Sequence, residues 1–137
     1  MRAGRQRRTA LAENHKDDSG RLIESAKAQN ARTSRAARRV LAQWLAERDD
    51  IDGVICIGSV IRGETAHFDY VCSAAAQGIL RVNQDTGKPV MFCVLTDDTH
   101  EQAAARSGGE HGNKGVEAAV GLLNMLALRQ TLSPSRS

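Results

Sequence analysis

The chain has 137 residues, of which 41% are hydrophobic but only 3% aromatic. A chain of this length buries a core without disulfides or metals, and here that core must be aliphatic and alanine-rich. No apolar run approaches the roughly 20 residues of a membrane span, and no apolar stretch follows the basic N-terminus as a secretory signal would require. Charge is lopsided: residues 1–50 carry 12 Lys/Arg against 7 Asp/Glu, and the remainder 7 against 9.

Residues 1–33 read as a basic head without order. Arg2, Arg5, Arg7 and Arg8 precede a polar, turn-forming stretch at 14–20. A short helix fits 21–29, with Leu22, Ile23 and Ala26 on one side, but it is marginal alone because helix nucleation is costly. Order is expected from residue 34 to 132 as one α/β domain. Ala37, Val40, Leu41, Trp44 and Leu45 recur at helical spacing, with Thr33 or Ser34 as cap. Gly53-Val-Ile-Cys-Ile-Gly58 is almost wholly apolar, which suits a strand buried on both faces. After a loop at 59–65, a helix over 66–82 places Phe68, Val71, Cys72, Ala75 and Ile79 on one face. Thr86-Gly-Lys-Pro89 is a turn, and 90–95 is a second buried strand. Thr96-Asp-Asp-Thr99 caps a third helix near His100. Residues 107–113 form a glycine-rich loop, 114–132 a final helix, and 133–137 a tail. Strands alternating with helices predict a parallel sheet with helices on both faces.

Cys56, Cys72 and Cys93 are odd in number and far apart, and no Cys-x-x-Cys pair occurs. They read as buried, reduced thiols of a cytoplasmic protein, with neither a disulfide framework nor a metal site.

Ligands of open α/β sheets bind beyond the carboxyl ends of the strands. That rule puts residues 59–67 and 96–106 on one rim. Gly63 permits close backbone approach, and Thr65 sits at a helix start, where the dipole and free N–H groups attract anions. His67, in the first turn, is either a structural residue or a proton carrier. Arg106 offers a bidentate fork to a phosphate or a surface ion pair to Glu101 or Glu110, and Lys114 adds a point charge. The glycines fit neither a Walker A loop nor a dinucleotide fingerprint.

The run Ile57-Gly-Ser-Val-Ile-Arg-Gly-Glu-Thr-Ala-His-Phe-Asp-Tyr-Val71 resembles the signature of the lumazine synthases. Pro89-Val-Met-Phe-Cys-Val-Leu-Thr96, Glu101-Gln-Ala103, Arg106 and Gly112-Asn-Lys-Gly-Val-Glu-Ala-Ala119 continue the resemblance in order. It implies a flavodoxin-like, three-layer α/β/α subunit with a parallel sheet, assembled as a homopentamer or a larger shell. It implies a transferase of riboflavin biosynthesis that condenses 5-amino-6-ribitylaminouracil with 3,4-dihydroxy-2-butanone 4-phosphate to 6,7-dimethyl-8-ribityllumazine. No metal or organic cofactor is implied, the partners being small-molecule substrates and copies of the chain. The resemblance also allows association with riboflavin synthase. Residue by residue, it implies that Ser59, Val60 and Ile61 line the uracil pocket. Phe92 would be supplied to a neighbouring subunit's pocket. Glu64, Thr65 and Arg106 would hold the phosphate, His67 would transfer protons, and Lys114 and Glu117 would support the site.

The family's opening strand, ending in an Arg-Phe-Asn-like segment, and its Pro-Gly-x-x-Glu-like motif have no counterpart before Val40. The N-terminal part, with the first strands, is therefore expected to be missing or replaced. An altered reading frame or mis-set gene start accounts for such a head, and the coding DNA tests this. The pocket is expected to keep its phosphate half and lack much of its pyrimidine half. Cys93 stands where the family usually has glycine. Two other readings compete with the enzyme: a family remnant acting only as an assembly subunit, and an RNA-binding particle. The basic head can attract RNA or acidic membranes, although a solvated head binding neither is the plainer reading.

Overall fold

The computed structural model describes residues 13–16, 22–25 and 35–132. Its elements are β1 (Glu13–Lys16), β2 (Leu22–Ser25), α1 (Arg35–Ala46), β3 (Val54–Ile61), α2 (His67–Thr86), β4 (Val90–Asp97), α3 (His100–Ala105), β5 (Ser107–Gly109), β6 (Gly112–Asn113) and α4 (Lys114–Leu132). The basic cluster at 2–8, the capping positions Thr33 and Ser34, and the 133–137 tail lie outside the described residues.

One sheet runs β1-β2-β3-β4, and β5 pairs only with β6. The β3–β4 ladder is parallel along its whole length, from Val54↔Val90 to Ile61↔Asp97. Strand β2 is parallel to β3 but meets it at one pair, Glu24↔Val54, while β1 and β2 are antiparallel. A strand at 22–25 replaces the helix expected over 21–29, and β1 and β2 stand where no strand signal was read. Nine residues are too few to nucleate a helix alone, whereas a short strand gains backbone partners on both sides.

Two cores hold the layers together. On one face, Val54 and Val90 pack with Ala46 of α1, Ile51, and Ile79 and Val82 of α2. On the other, Ile55 and Cys93 pack with Ala118, Leu122 and Leu126 of α4. Alternation along each strand sends neighbouring residues to opposite cores, so the predicted three layers and parallel ladder are present. Among the described residues no helix is long and apolar enough to cross a membrane.

Several local expectations need correction. Only Val54 and Ile55, at the start of β3, are deeply buried, and Ile57 is 58% exposed. Beyond Val54 no described strand pairs with the β2 side of β3. Among the described side chains of α1, Ala42 and Ala46 are buried, while Trp44 is 64% exposed and Val40 and Leu41 also reach solvent. Small alanines let α1 approach its neighbours, which leaves the larger side chains at the margin. Of the three free cysteines Cys93 is buried and Cys56 and Cys72 are half-buried. Burial pushes the Cys56 thiol up to about 11. Helix α2 extends past 82 to Thr86 and ends on Gly87 at φ 63°. Asn83 secures that end: its Nδ2 donates to the carbonyls of Ile79 (3.0 Å) and Val90 (2.8 Å), and its Oδ1 accepts from the Val90 N–H (2.7 Å).

Gly53 enters β3 beneath α4. A Cβ there would lie 2.6 Å from Leu122 Cδ1 and 2.9 Å from the Pro89 carbonyl oxygen. Leu122 is fully buried and cannot withdraw. Gly53→Ala is expected to lower unfolding free energy by about 1–3 kcal/mol through overpacking. Chemical denaturation beside the parent chain measures this, and an unchanged midpoint would contradict the packing described.

Candidate functional site

The carboxyl ends of β3 and β4 lie side by side, with Ser59↔Leu95, Val60↔Thr96 and Ile61↔Asp97 in register. Ser59 is exposed, and Val60 and Ile61 are half-buried. The next residue keeps the loop on the sheet, since the Arg62 N–H donates to the Asp97 carbonyl at 2.9 Å. The Arg62 side chain is held by two carboxylates and a ring. Its Nε donates to Asp98 Oδ1 at 2.7 Å, its Nη1 lies 3.4 Å from Asp69 Oδ1, and its guanidinium sits 4.1 Å from the Phe68 ring centroid. The Asp98 hydrogen bond, with help from Asp69, raises the Arg62 pKa.

Glu64, Thr65 and His67 follow in the exposed stretch that opens α2. The His67 N–H donates to Thr65 Oγ1 at 3.4 Å. The cap residue Ala66 contributes no side-chain cap bond, so the positive end of a 20-residue helix faces the rim.

Arg106 closes α3 from the other side of β4. Its Nη1 donates to the Gln102 carbonyl at 2.9 Å and lies 3.5 Å from Asp97 Oδ1. The partner is therefore Asp97, rather than the Glu101 or Glu110 expected from sequence. Glu101 faces the start of α3, where a backbone N–H and the Thr99 hydroxyl hold its carboxyl below the usual carboxylate range. Both Arg106 contacts use one nitrogen. Among the described residues Nε and Nη2, the edge that grips an oxyanion in bidentate fashion, have no protein partner. Of the two rim arginines, Arg62 engages two nitrogens with carboxylates and Arg106 only one.

The 107–113 stretch is a hairpin rather than a loop, with Gly108 at φ 111° and Gly112 at φ 77°. It packs back on α3 through His111 N–H to Ala105 O (2.9 Å) and Lys114 N–H to Arg106 O (3.0 Å). Asn113 Oδ1 then caps α4 by accepting from Gly115 and Val116. Lys114 Nζ is paired with Glu117 at 2.8 Å. The hairpin thus brings the Lys114 backbone to Arg106 while its ammonium is spent on Glu117.

Phe92 is not brought to this rim. It lies opposite Cys56 in the body of β4, five residues and roughly 16 Å before Asp97 at about 3.3 Å per residue. Sequence reasoning missed Arg62, Asp97 and Asp98. The acidic pair reads as helix-capping chemistry, and only Thr99 caps, accepting from the Gln102 N–H. A cleft of about 320 Å³ lies at the opposite end of the sheet, lined by Asp49, Ile51, Asp52, Lys88, Leu126, Arg129 and Gln130. It contains none of the predicted site residues, and its two carboxylates offset its two cations.

Residues 38–130 match the family model of 6,7-dimethyl-8-ribityllumazine synthase. The chain is 58% identical over 86 residues to the 6,7-dimethyl-8-ribityllumazine synthase of Cytophaga hutchinsonii, covering 63% of this chain and 54% of that protein. Against the enzyme of Flavobacterium johnsoniae identity is 50% over 94 residues, 69% of this chain and 50% of the relative. Against that of Thermus thermophilus it is 46% over 94 residues, 69% and 60%. The chain spans about half the length of the curated relatives it matches.

Proposed function

The chain belongs to the 6,7-dimethyl-8-ribityllumazine synthase family, and from that premise we propose that it condenses 5-amino-6-ribitylaminouracil with 3,4-dihydroxy-2-butanone 4-phosphate, releasing phosphate and water. The observation that carries this reading is the free Nε–Nη2 edge of Arg106 at the carboxyl end of the sheet. The phosphate sits on that edge, with Glu64 and Thr65 completing its turn beside the α2 dipole. Imine formation and phosphate elimination both move protons, and His67 at the first position of α2 is the carrier. Ser59, Val60 and Ile61 line the uracil side. Lys114 and Glu117, already paired, support the turn after Arg106.

Phe92 serves a neighbouring copy's pocket, which accounts for its distance from its own rim. Assembly has a physical motive. Helix α4 buries Ala118, Leu122 and Leu126 yet exposes Val116, Val120, Leu123, Met125, Leu128 and Leu132. So many exposed aliphatic side chains on one helix form the kind of apolar surface that a partner covers. We therefore read the working form as a homopentamer or larger shell in the cytoplasm. Beyond Val54 no described strand pairs with the β2 side of β3, which favours one second reading, an assembly subunit of low activity, because the resemblance implies that the missing first strands carry much of the pyrimidine half of the pocket. Mixing both substrates with the full chain and following lumazine absorbance separates the two readings, with enzyme-dependent product expected.

A further inference from the structure

Asp97 is a buried carboxylate, 7% exposed, at the end of β4. Its Oδ1 faces Arg106 Nη1 at 3.5 Å, and its Oδ2 is buried with no hydrogen-bond partner among the described residues. An unsatisfied buried carboxylate oxygen is costly, so the local sequence holds a destabilising charge against the arginine assigned to the phosphate. The neighbouring Asp98 does the opposite work, engaging Arg62 at 2.7 Å on the exposed side.

We propose that Asp97 is a positioning residue acting through Arg106: it draws Nη1 inward, which turns the Nε–Nη2 edge to the rim, and its charge offsets the guanidinium so that a bound phosphate is released again. This rests on the phosphate reading of Arg106 given above. The need for such an offset follows from the chemistry. The reaction frees inorganic phosphate in the same place where the phosphorylated substrate binds. A guanidinium with no anion behind it would retain that product. A buried anion behind the guanidinium repels an oxyanion in front of it, and the low-dielectric surroundings keep that repulsion from being fully screened.

Asp97→Asn separates the two roles, because the amide keeps an acceptor for Nη1 and removes the charge. Calorimetric titration of the full chain with inorganic phosphate is expected to show about threefold to tenfold tighter binding in Asp97→Asn than in the parent. In steady state the KM for the butanone phosphate should fall with it, while kcat stays level or drops as phosphate leaves more slowly. In an Arg106→Ala background the same substitution should give no tightening. A merely structural role predicts weaker binding and lower kcat together. Should Asp97→Asn not fold, Asp97→Thr makes the same test, since a β-branched residue suits the strand end and its hydroxyl is an uncharged acceptor. Unchanged or weaker phosphate binding in the uncharged variant, with Arg106→Ala still weakened, overturns the role of Asp97 and leaves the phosphate site standing. Arg106→Ala that binds phosphate like the parent overturns the site itself, and the role of Asp97 with it.

Discussion

His67→Ala is expected to lower the rate of lumazine formation by about 10²–10⁴-fold, the usual contribution of a well-placed proton carrier. The size of the effect follows from the reaction. Attack of an amine on a ketone, loss of water and loss of phosphate each require a proton to arrive or leave. His67 is exposed at the first helical position of α2, two residues after Thr65, directly after the proposed phosphate turn. Exposed substitutions of this kind alter stability little, and the melting temperature should remain near the parent's. Phosphate affinity should also be nearly intact, because His67 is assigned to the chemical step. A variant that keeps the parent's turnover would remove His67 from the mechanism. One that loses phosphate binding as well would place it in the anion site.

Arg106→Ala should weaken phosphate binding by roughly ten- to hundredfold, since charge-assisted hydrogen bonds contribute about 1.5–3 kcal/mol. Arg106→Lys should lose less, because a point charge remains while the planar fork does not. The alanine variant has a second consequence that the lysine variant largely avoids. It strands Asp97, a buried carboxylate whose other oxygen already lacks a partner. Arg106 is 34% exposed, so the ion pair is partly screened. The loss of stability is then about 1–3 kcal/mol, below the figure for a fully buried pair. Adding Asp97→Asn to Arg106→Ala should recover most of that stability and none of the binding. Calorimetry and thermal melts on the same four proteins measure both effects. Alanine and lysine variants with equal phosphate affinity would mean that no fork-shaped contact exists.

How much of this was legible in the sequence depends on the scale of the interactions. The β3–β4 pair was readable because Val54 and Ile55, and Val90, each sit in a short apolar run that local pattern alone explains. The end of α2 was blurred because its last turn depends on Asn83 reaching β4, a contact between segments. The Asp97–Arg106 pair was invisible for the same reason: nine residues separate the partners, and the nearer reading of Asp97 is helix capping. Trp44 misled because periodicity identifies an apolar face but not which of its members meets a neighbour. Strands β1 and β2 exist through pairing with each other and, at Glu24, with β3, which a polar stretch does not advertise. For the proposed site, motif order is what points to Arg106, His67 and the Glu64–Thr65 turn. The internal commitment of Arg62 and the distance of Phe92 from its own rim required coordinates.

We propose that the rim formed by β3, α2 and Arg106 performs the condensation although the chain spans about half the length of its curated relatives. The most direct test is the initial rate of 6,7-dimethyl-8-ribityllumazine formation from both substrates, with the full parent chain compared with His67→Ala and with no protein. Saturable, protein-dependent product formation is expected in the parent, falling towards the spontaneous rate in His67→Ala. A parent rate equal to the protein-free rate, in a preparation that is folded and assembled, would contradict the enzyme and leave the assembly subunit in its place.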